Sequence, residues 1–143
     1  MSAFPLASGG SLVLGTAGQP EVLSGTSSAD VIIGADAGET LFGGEGNDIL
    51  FGGGGTDTFF FARTTAPDQV DVVLDFHSGE DHLQFHNVSD KEVTLHDTAQ
   101  GLEIWYVGLG GVAPEHGVAL LWGVHQLQPN DFAFSSGAGA GPV

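Results

Sequence analysis

The chain counts in nines. From Gly25 to Phe60 it divides without a gap into GTSSADVII (25–33), GADAGETLF (34–42), GGEGNDILF (43–51) and GGGGTDTFF (52–60). Sixth place in these units holds Asp30, Glu39, Asp48 and Asp57, and eighth place holds Ile32, Leu41, Leu50 and Phe59. One unit upstream, TAGQPEVLS (16–24) puts Glu21 and Leu23 on the same two places. A flexible acidic linker would also be rich in glycine and carboxylate. It would not set a bulky apolar residue at a strict interval. Any fold for this chain must give every ninth residue the same environment.

The physical reading of one unit is a turn followed by a short strand. Glycines at places one, two and four permit positive φ and tight bending. The last three residues are rich in β-branched and aromatic types and suit a strand. Side chains alternate along a strand, so place eight points one way and places seven and nine the other. Two units then make one coil of turn, strand, turn, strand, and successive coils pair their strands in parallel. The expected fold is all-β: a right-handed parallel β-roll with the eighth places meeting inside, continued by a β-rich C-terminal cap.

Stacking brings the acids together. Units two apart lie one above the other, so Asp30 faces Asp48, and Glu39 faces Asp57. Adjacent strands are about 4.8 Å apart. Two carboxylates near 5 Å repel by about 3 kcal/mol at an effective dielectric of about 20. Only Arg63 and Lys91 carry fixed positive charge in the 143 residues. A hard divalent cation taking six to eight oxygens offsets the repulsion, and the turns add backbone carbonyls to the carboxylates. Calcium accepts such irregular oxygen cages, whereas magnesium demands an octahedron. The expected cofactor is therefore calcium.

The third and fourth units match G-G-x-G-x-D-x-U-x, with U a large apolar residue, and so resemble the calcium-binding repeat of RTX proteins. The resemblance implies a cation between turns. One half-cage comes from the carbonyls of places two and four with the sixth carboxylate, the other from places one and three with the sixth carboxylate of the turn above. On this chain that gives Thr26, Ser28 and Asp30 below with Gly43, Glu45 and Asp48 above. A second set is Ala35, Ala37 and Glu39 below, with Gly52, Gly54 and Asp57 above. Gly44, Gly46 and Asp48, and Gly53, Gly55 and Asp57, offer two further lower halves. The first two units depart from the pattern: Glu39 is a methylene too long, and Ser28 and Ala37 stand where glycine is usual. Weaker binding is expected there.

Past Phe61 the rhythm fades. The unit 61–69 has Ala66 at sixth place, yet Asp75 falls 18 residues after Asp57, the step for one more coil. The run Asp71, Asp75, Phe76, Gly79, Asp81 is similar to the segment that closes the roll in serralysin-like proteases, bacterial lipases and the accessory modules of alginate epimerases. Asp75 is expected as a ligand on that resemblance, with Asp71 and Asp81 behind it; turn capping by Asp81 beside Gly79 is the structural alternative. The expected organisation is a lead-in over 1–15, the roll over 16–81, the cap over 82–134 and a flexible tail over 135–143. Strands are expected near Leu12–Leu14, Glu92–His96, Leu102–Val107 and Val118–Trp122, and a single helical turn at Ser89–Glu92. Places seven and nine on one sheet read Val31, Ile33, Ile49 and Phe51. An apolar outer face of that kind predicts a cover, from the C-terminal half or from a partner.

Composition narrows function. The net charge is −16 and 12 of the 18 acids lie between Glu21 and Asp81, which argues against nucleic acid and anionic membranes. With 41% hydrophobic residues and ten Phe, the chain is built to fold. The absence of cysteine removes disulfides and thiol chemistry. The start MSAFPLASGGSLVLG lacks a basic n-region and a long apolar run, so no cleaved signal is expected. That fits the resemblance, because RTX proteins typically leave through type I export machinery that reads an uncleaved C-terminal signal. Low cytosolic calcium would leave the chain unfolded for passage, and extracellular calcium would fold it. The expectation is a secreted calcium-binding module without catalytic residues; the alternative is an accessory module binding a polysaccharide or cell surface. His77, His82, Gln84 and His86 form a weak transition-metal grouping at best, and no G-x-S-x-G or H-E-x-x-H is present.

Overall fold

The computed structural model describes residues 2–7, 9–62, 69–86, 93–107 and 116–135. Thirteen strands run through these: β1 (Ser2–Pro5), β2 (Ser11–Leu14), β3 (Val22–Ser24), β4 (Val31–Ile33), β5 (Thr40–Phe42), β6 (Ile49–Phe51) and β7 (Thr58–Ala62), then β8 (Gln69–Val73), β9 (His82–His86), β10 (Val93–Asp97), β11 (Gly101–Val107), β12 (His116–Trp122) and β13 (Phe132–Ser135). Consecutive strands of the repeats alternate between two sheets. One has eight strands in the order β1-β2-β4-β6-β8-β12-β11-β10, and the other has five in the order β13-β9-β7-β5-β3.

The nine-residue period becomes register. In the larger sheet Val13, Ile32 and Leu50 align, and in the smaller Leu23, Leu41 and Phe59 align, all through parallel pairs. Each of these side chains is buried between the sheets. Three-residue strands suffice because only the middle residue has to point inward. The parallel β-roll expected from the repeats is the fold observed.

The ruler fails after Phe60 as a count while the geometry continues. Val73 aligns with Leu50, and Leu83 with Phe59. The steps between coils have lengthened from 18 residues to 23 and 24. The expectation that Asp75 stands one coil above Asp57 is therefore wrong: Asp81 stands there, and Asp71 stands above Asp48. The unit 61–69 has Ala66 at its sixth place, and its residues 63–68 lie outside the described residues.

The C-terminal half completes both sheets. β12 adds in parallel to β8, and β11 and β10 follow antiparallel. β13 adds in parallel to β9. Strand β9, expected to open the cap, pairs in parallel with β7 and carries the roll upward. Here the strands lengthen, a second inward row appears, and phenylalanine fills it. Phe61, Phe85 and Tyr106 pack with ring centroids 5.4–6.0 Å apart, and Phe134 lies 5.6 Å from Phe85. Because the cap extends the larger sheet edge to edge, it is not the expected cover of that sheet's outer face, and Ile49 and Phe51 remain exposed. The expected helical turn at Ser89–Glu92 and the tail beyond 135 lie outside the described residues.

Candidate calcium-binding centre between the turns

Asp30, Asp48, Asp57, Asp71 and Asp81 each hang down to the coil beneath, while Glu39 Oε1 accepts the Ala35 amide of its own turn at 3.1 Å. Asp48 Oδ1 accepts the amide N–H of Asp30 at 2.8 Å, and Asp71 Oδ1 accepts that of Asp48 at 2.9 Å. On the other side Asp57 Oδ1 accepts from Glu39 at 3.0 Å, and Asp81 Oδ1 accepts from Asp57 at 3.0 Å. At the base, Asp30 Oδ1 takes the Ser11 amide at 2.7 Å. Two carboxylate ladders thus run up the roll, one beside each line of turns. They form because the sixth place ends the turn, where the amide below would otherwise lack a partner.

In three of these acids one oxygen is spoken for and the other is not. Glu39 Oε2, Asp48 Oδ2 and Asp57 Oδ2 are buried with no hydrogen-bond partner. Burial pushes the Asp48 carboxyl up to about 8, with repulsion from Asp71 next in size. Burial likewise raises Asp57 to about 7, with Asp81, Glu39 and Asp75 as repelling neighbours, and raises Asp71 to about 6. Glu39 is raised by burial too. Arg63 and Lys91 lie outside the described residues.

The carbonyls of the turns face the same gaps. A Cβ added at Gly44 would stand 2.6 Å from the Thr26 carbonyl oxygen, and one at Gly46 would stand 2.7 Å from that of Ser28. Both glycines also have positive φ, +84° and +96°, so no other residue suits these places. From above, the Gly43 carbonyl oxygen comes within 2.7 Å of a Cβ built on Gly25. The Ala37 oxygen meets Gly55 in the same way, and the Gly52 oxygen faces Gly34. Thr26, Ser28 and Gly43, and Ala35, Ala37 and Gly52, are thereby brought to successive gaps between stacked turns. The Ala35 carbonyl also accepts the Gly54 amide at 2.8 Å, which leaves it one lone pair. Among the described residues no three His, Asp or Glu side chains converge on a metal position, so a cation here leans on carbonyls. Oxygen donors only, an orphaned carboxylate oxygen on Asp48 beside one line of turns and on Glu39 and Asp57 beside the other, and a gap that admits no Cβ fit a hard cation such as calcium.

Three other acids have different duties. Asp75 accepts the amides of Gly52 and Gly53, each at 2.7 Å, and so clamps the fourth repeat's turn. Asp81 both occupies the ladder and caps its own turn through the His77 amide at 2.9 Å. Asp131, which the repeat ruler does not reach, is buried and takes Ser78 Oγ at 2.6 Å, the Gln128 amide at 2.7 Å and the Gly79 amide at 2.9 Å. Burial works to raise its pKa, but these donors outweigh it and hold the carboxyl below the usual value. The signal for Asp71 and Asp81 was present as D-x-V and D-x-L, the same acid-to-apolar spacing as in the repeats, displaced by the longer connections.

A repeat-family match agrees with the geometry. The model of the RTX calcium-binding nonapeptide repeat (4 copies) matches residues 33–63. No curated protein matches significantly. Among solved structures, the AlgE6R3 subunit of the mannuronan C5-epimerase from Azotobacter vinelandii is similar at 23% identity, over 84% of this chain and 78% of that one, with a TM-score of 0.45. No helix among the described residues is long and apolar enough to cross a membrane. The stacked turns of residues 33–63 are RTX calcium-binding nonapeptide repeats, and the chain carries them as a parallel β-roll.

Proposed function

We propose that calcium, bound between the turns, is what folds this chain, and that it serves as the calcium-triggered module of a protein exported by a type I system into the extracellular medium. The observation that carries the reading is the set of buried, unpartnered oxygens on Glu39, Asp48 and Asp57, stacked in ladders of like charge. The ligand sets are Thr26, Ser28 and Asp30 with Gly43, Glu45 and Asp48, and Ala35, Ala37 and Glu39 with Gly52, Gly54 and Asp57. Gly44, Gly46, Gly53 and Gly55 line the next gaps, and Asp71 and Asp81 take the sixth places of the coil above. Asp75 acts beside them by clamping the turn of Gly52 and Gly53.

A bound cation supplies the positive charge that the chain lacks. When it leaves, each carboxylate keeps its rung but faces its neighbour's charge across about 5 Å. Extracellular calcium at ten times a site's dissociation constant adds about 1.4 kcal/mol of stability per site. Several sites in register make that gain cooperative, since each is shared by two turns. The folding unit is the whole stack, the repeats of 16–81 together with the strands of 82–134 that finish both sheets. Circular dichroism during a calcium titration, with calorimetry for stoichiometry, tests the reading. The expected result is loss of sheet in chelator and recovery with a midpoint of about 10⁻⁴ to 10⁻³ M, the range of extracellular modules. A chelated chain that keeps its sheet and its melting temperature overturns it.

A further inference from the structure

We propose that the outward face of the eight-stranded sheet is a self-association surface on which two copies of this chain pack face to face. By strand alternation, the residues pointing away from the roll on β2, β4, β6 and β8 are all apolar, and Val118, Leu120 and Trp122 of β12 continue that face. Phe4, Ile49, Phe51, Val70, Leu74 and Trp122, on or beside these strands, each keep 38–51% of their surface exposed. At about 200 Å² per large apolar residue these six alone leave about 500 Å² open, near the top of what a monomer shows in one patch. Pairing two copies removes about twice that, and the half-buried residues between them bring the total to the roughly 1,200–2,000 Å² of a stable interface.

Charge decides which occupant fits. The chain carries 18 acids, yet among the outward strand positions of this sheet only Glu103 is charged. A basic partner finds a single carboxylate to pair with there, and an acidic polymer finds neither Lys nor Arg. An identical flat apolar sheet is complementary, because sheets with apolar faces stack about 10 Å apart. That separation also sets the acidic turns of one copy about a Debye length from those of the other at physiological salt.

Sedimentation velocity of the full chain in saturating calcium tests the pairing. The expected result is a dimer of micromolar affinity or tighter, strengthened by added sodium chloride. Phe51→Lys and Trp122→Lys should each weaken it by about 30-fold or more, while Val22→Lys, on the outer face of the other sheet, should leave it intact. Calorimetric calcium stoichiometry on every variant separates loss of pairing from loss of the roll. As the chain has no cysteine, Phe51→Cys should cross-link between copies on mild oxidation and Val22→Cys should not. A calcium-loaded chain that stays monomeric at all concentrations, a dimer weakened by salt, or equal cross-linking from both cysteines overturns the proposal.

Discussion

Replacing Asp48 by asparagine separates the two consequences of its carboxylate. In the metal-free fold the charge is a liability: the group is buried, Asp71 stands above it and Asp30 below. One like charge at about 5 Å costs about 3 kcal/mol at an effective dielectric of about 20, and burial, the larger cause, adds to it. The carboxyl's rise from 3.8 to about 8 expresses the sum. Asparagine keeps an acceptor for the Asp30 amide and removes the charge. The calcium-free Asp48→Asn chain should therefore be more stable than the parent by about 2–4 kcal/mol. With calcium the sign reverses. A charged ligand contributes about 1.5–3 kcal/mol, so the calcium midpoint should rise about 10- to 150-fold. Circular dichroism in chelator, where Asp48→Asn should hold more sheet than the parent, and a calcium titration read the two effects apart. An unchanged midpoint, or a metal-free form less stable than the parent, refutes the ladder as the seat of the cation.

Acidity gives a second test. Asp48, Asp57 and Asp71 have folded-state values of about 8, 7 and 6 against an ordinary 3.8. Raised values favour the fold fully below about pH 4 and withdraw that support as pH climbs through 6 to 8. The calcium-free chain should show more sheet at about pH 5 than at about pH 8, and the calcium midpoint should rise as pH falls because protons compete for the same oxygens. Gly44→Ala forces a side chain into positive φ against the Thr26 carbonyl, and should destabilise the calcium-loaded roll by about 1–3 kcal/mol in urea melts. Asp131→Ala strands the amides of Gly79 and Gln128; it should cost about 1–3 kcal/mol with an unchanged calorimetric ion count, whereas a lost ion would place Asp131 in the cation chemistry.

The sequence alone determined the parts of this protein that repeat. A carboxylate and an apolar residue two places apart, recurring every nine, leave one arrangement in which every copy is buried alike, so the core line of Ile32, Leu41, Leu50 and Phe59 and the ladder acids could be read directly. Glycine at Gly44 and Gly46 was legible for the same reason, since only the backbone of a stacked turn demands it. What the tertiary structure decided begins where the period breaks. A connection of changed length leaves no count by which to place Asp71 and Asp81, and only their pairing with Asp48 and Asp57 shows that they continue the ladders while Asp75 clamps a turn. Asp131 acts through residues about 50 positions away, a contact with no local pattern. Whether the C-terminal strands would cover the larger sheet or extend it was likewise open, because an apolar strand serves either purpose until its edge finds a partner.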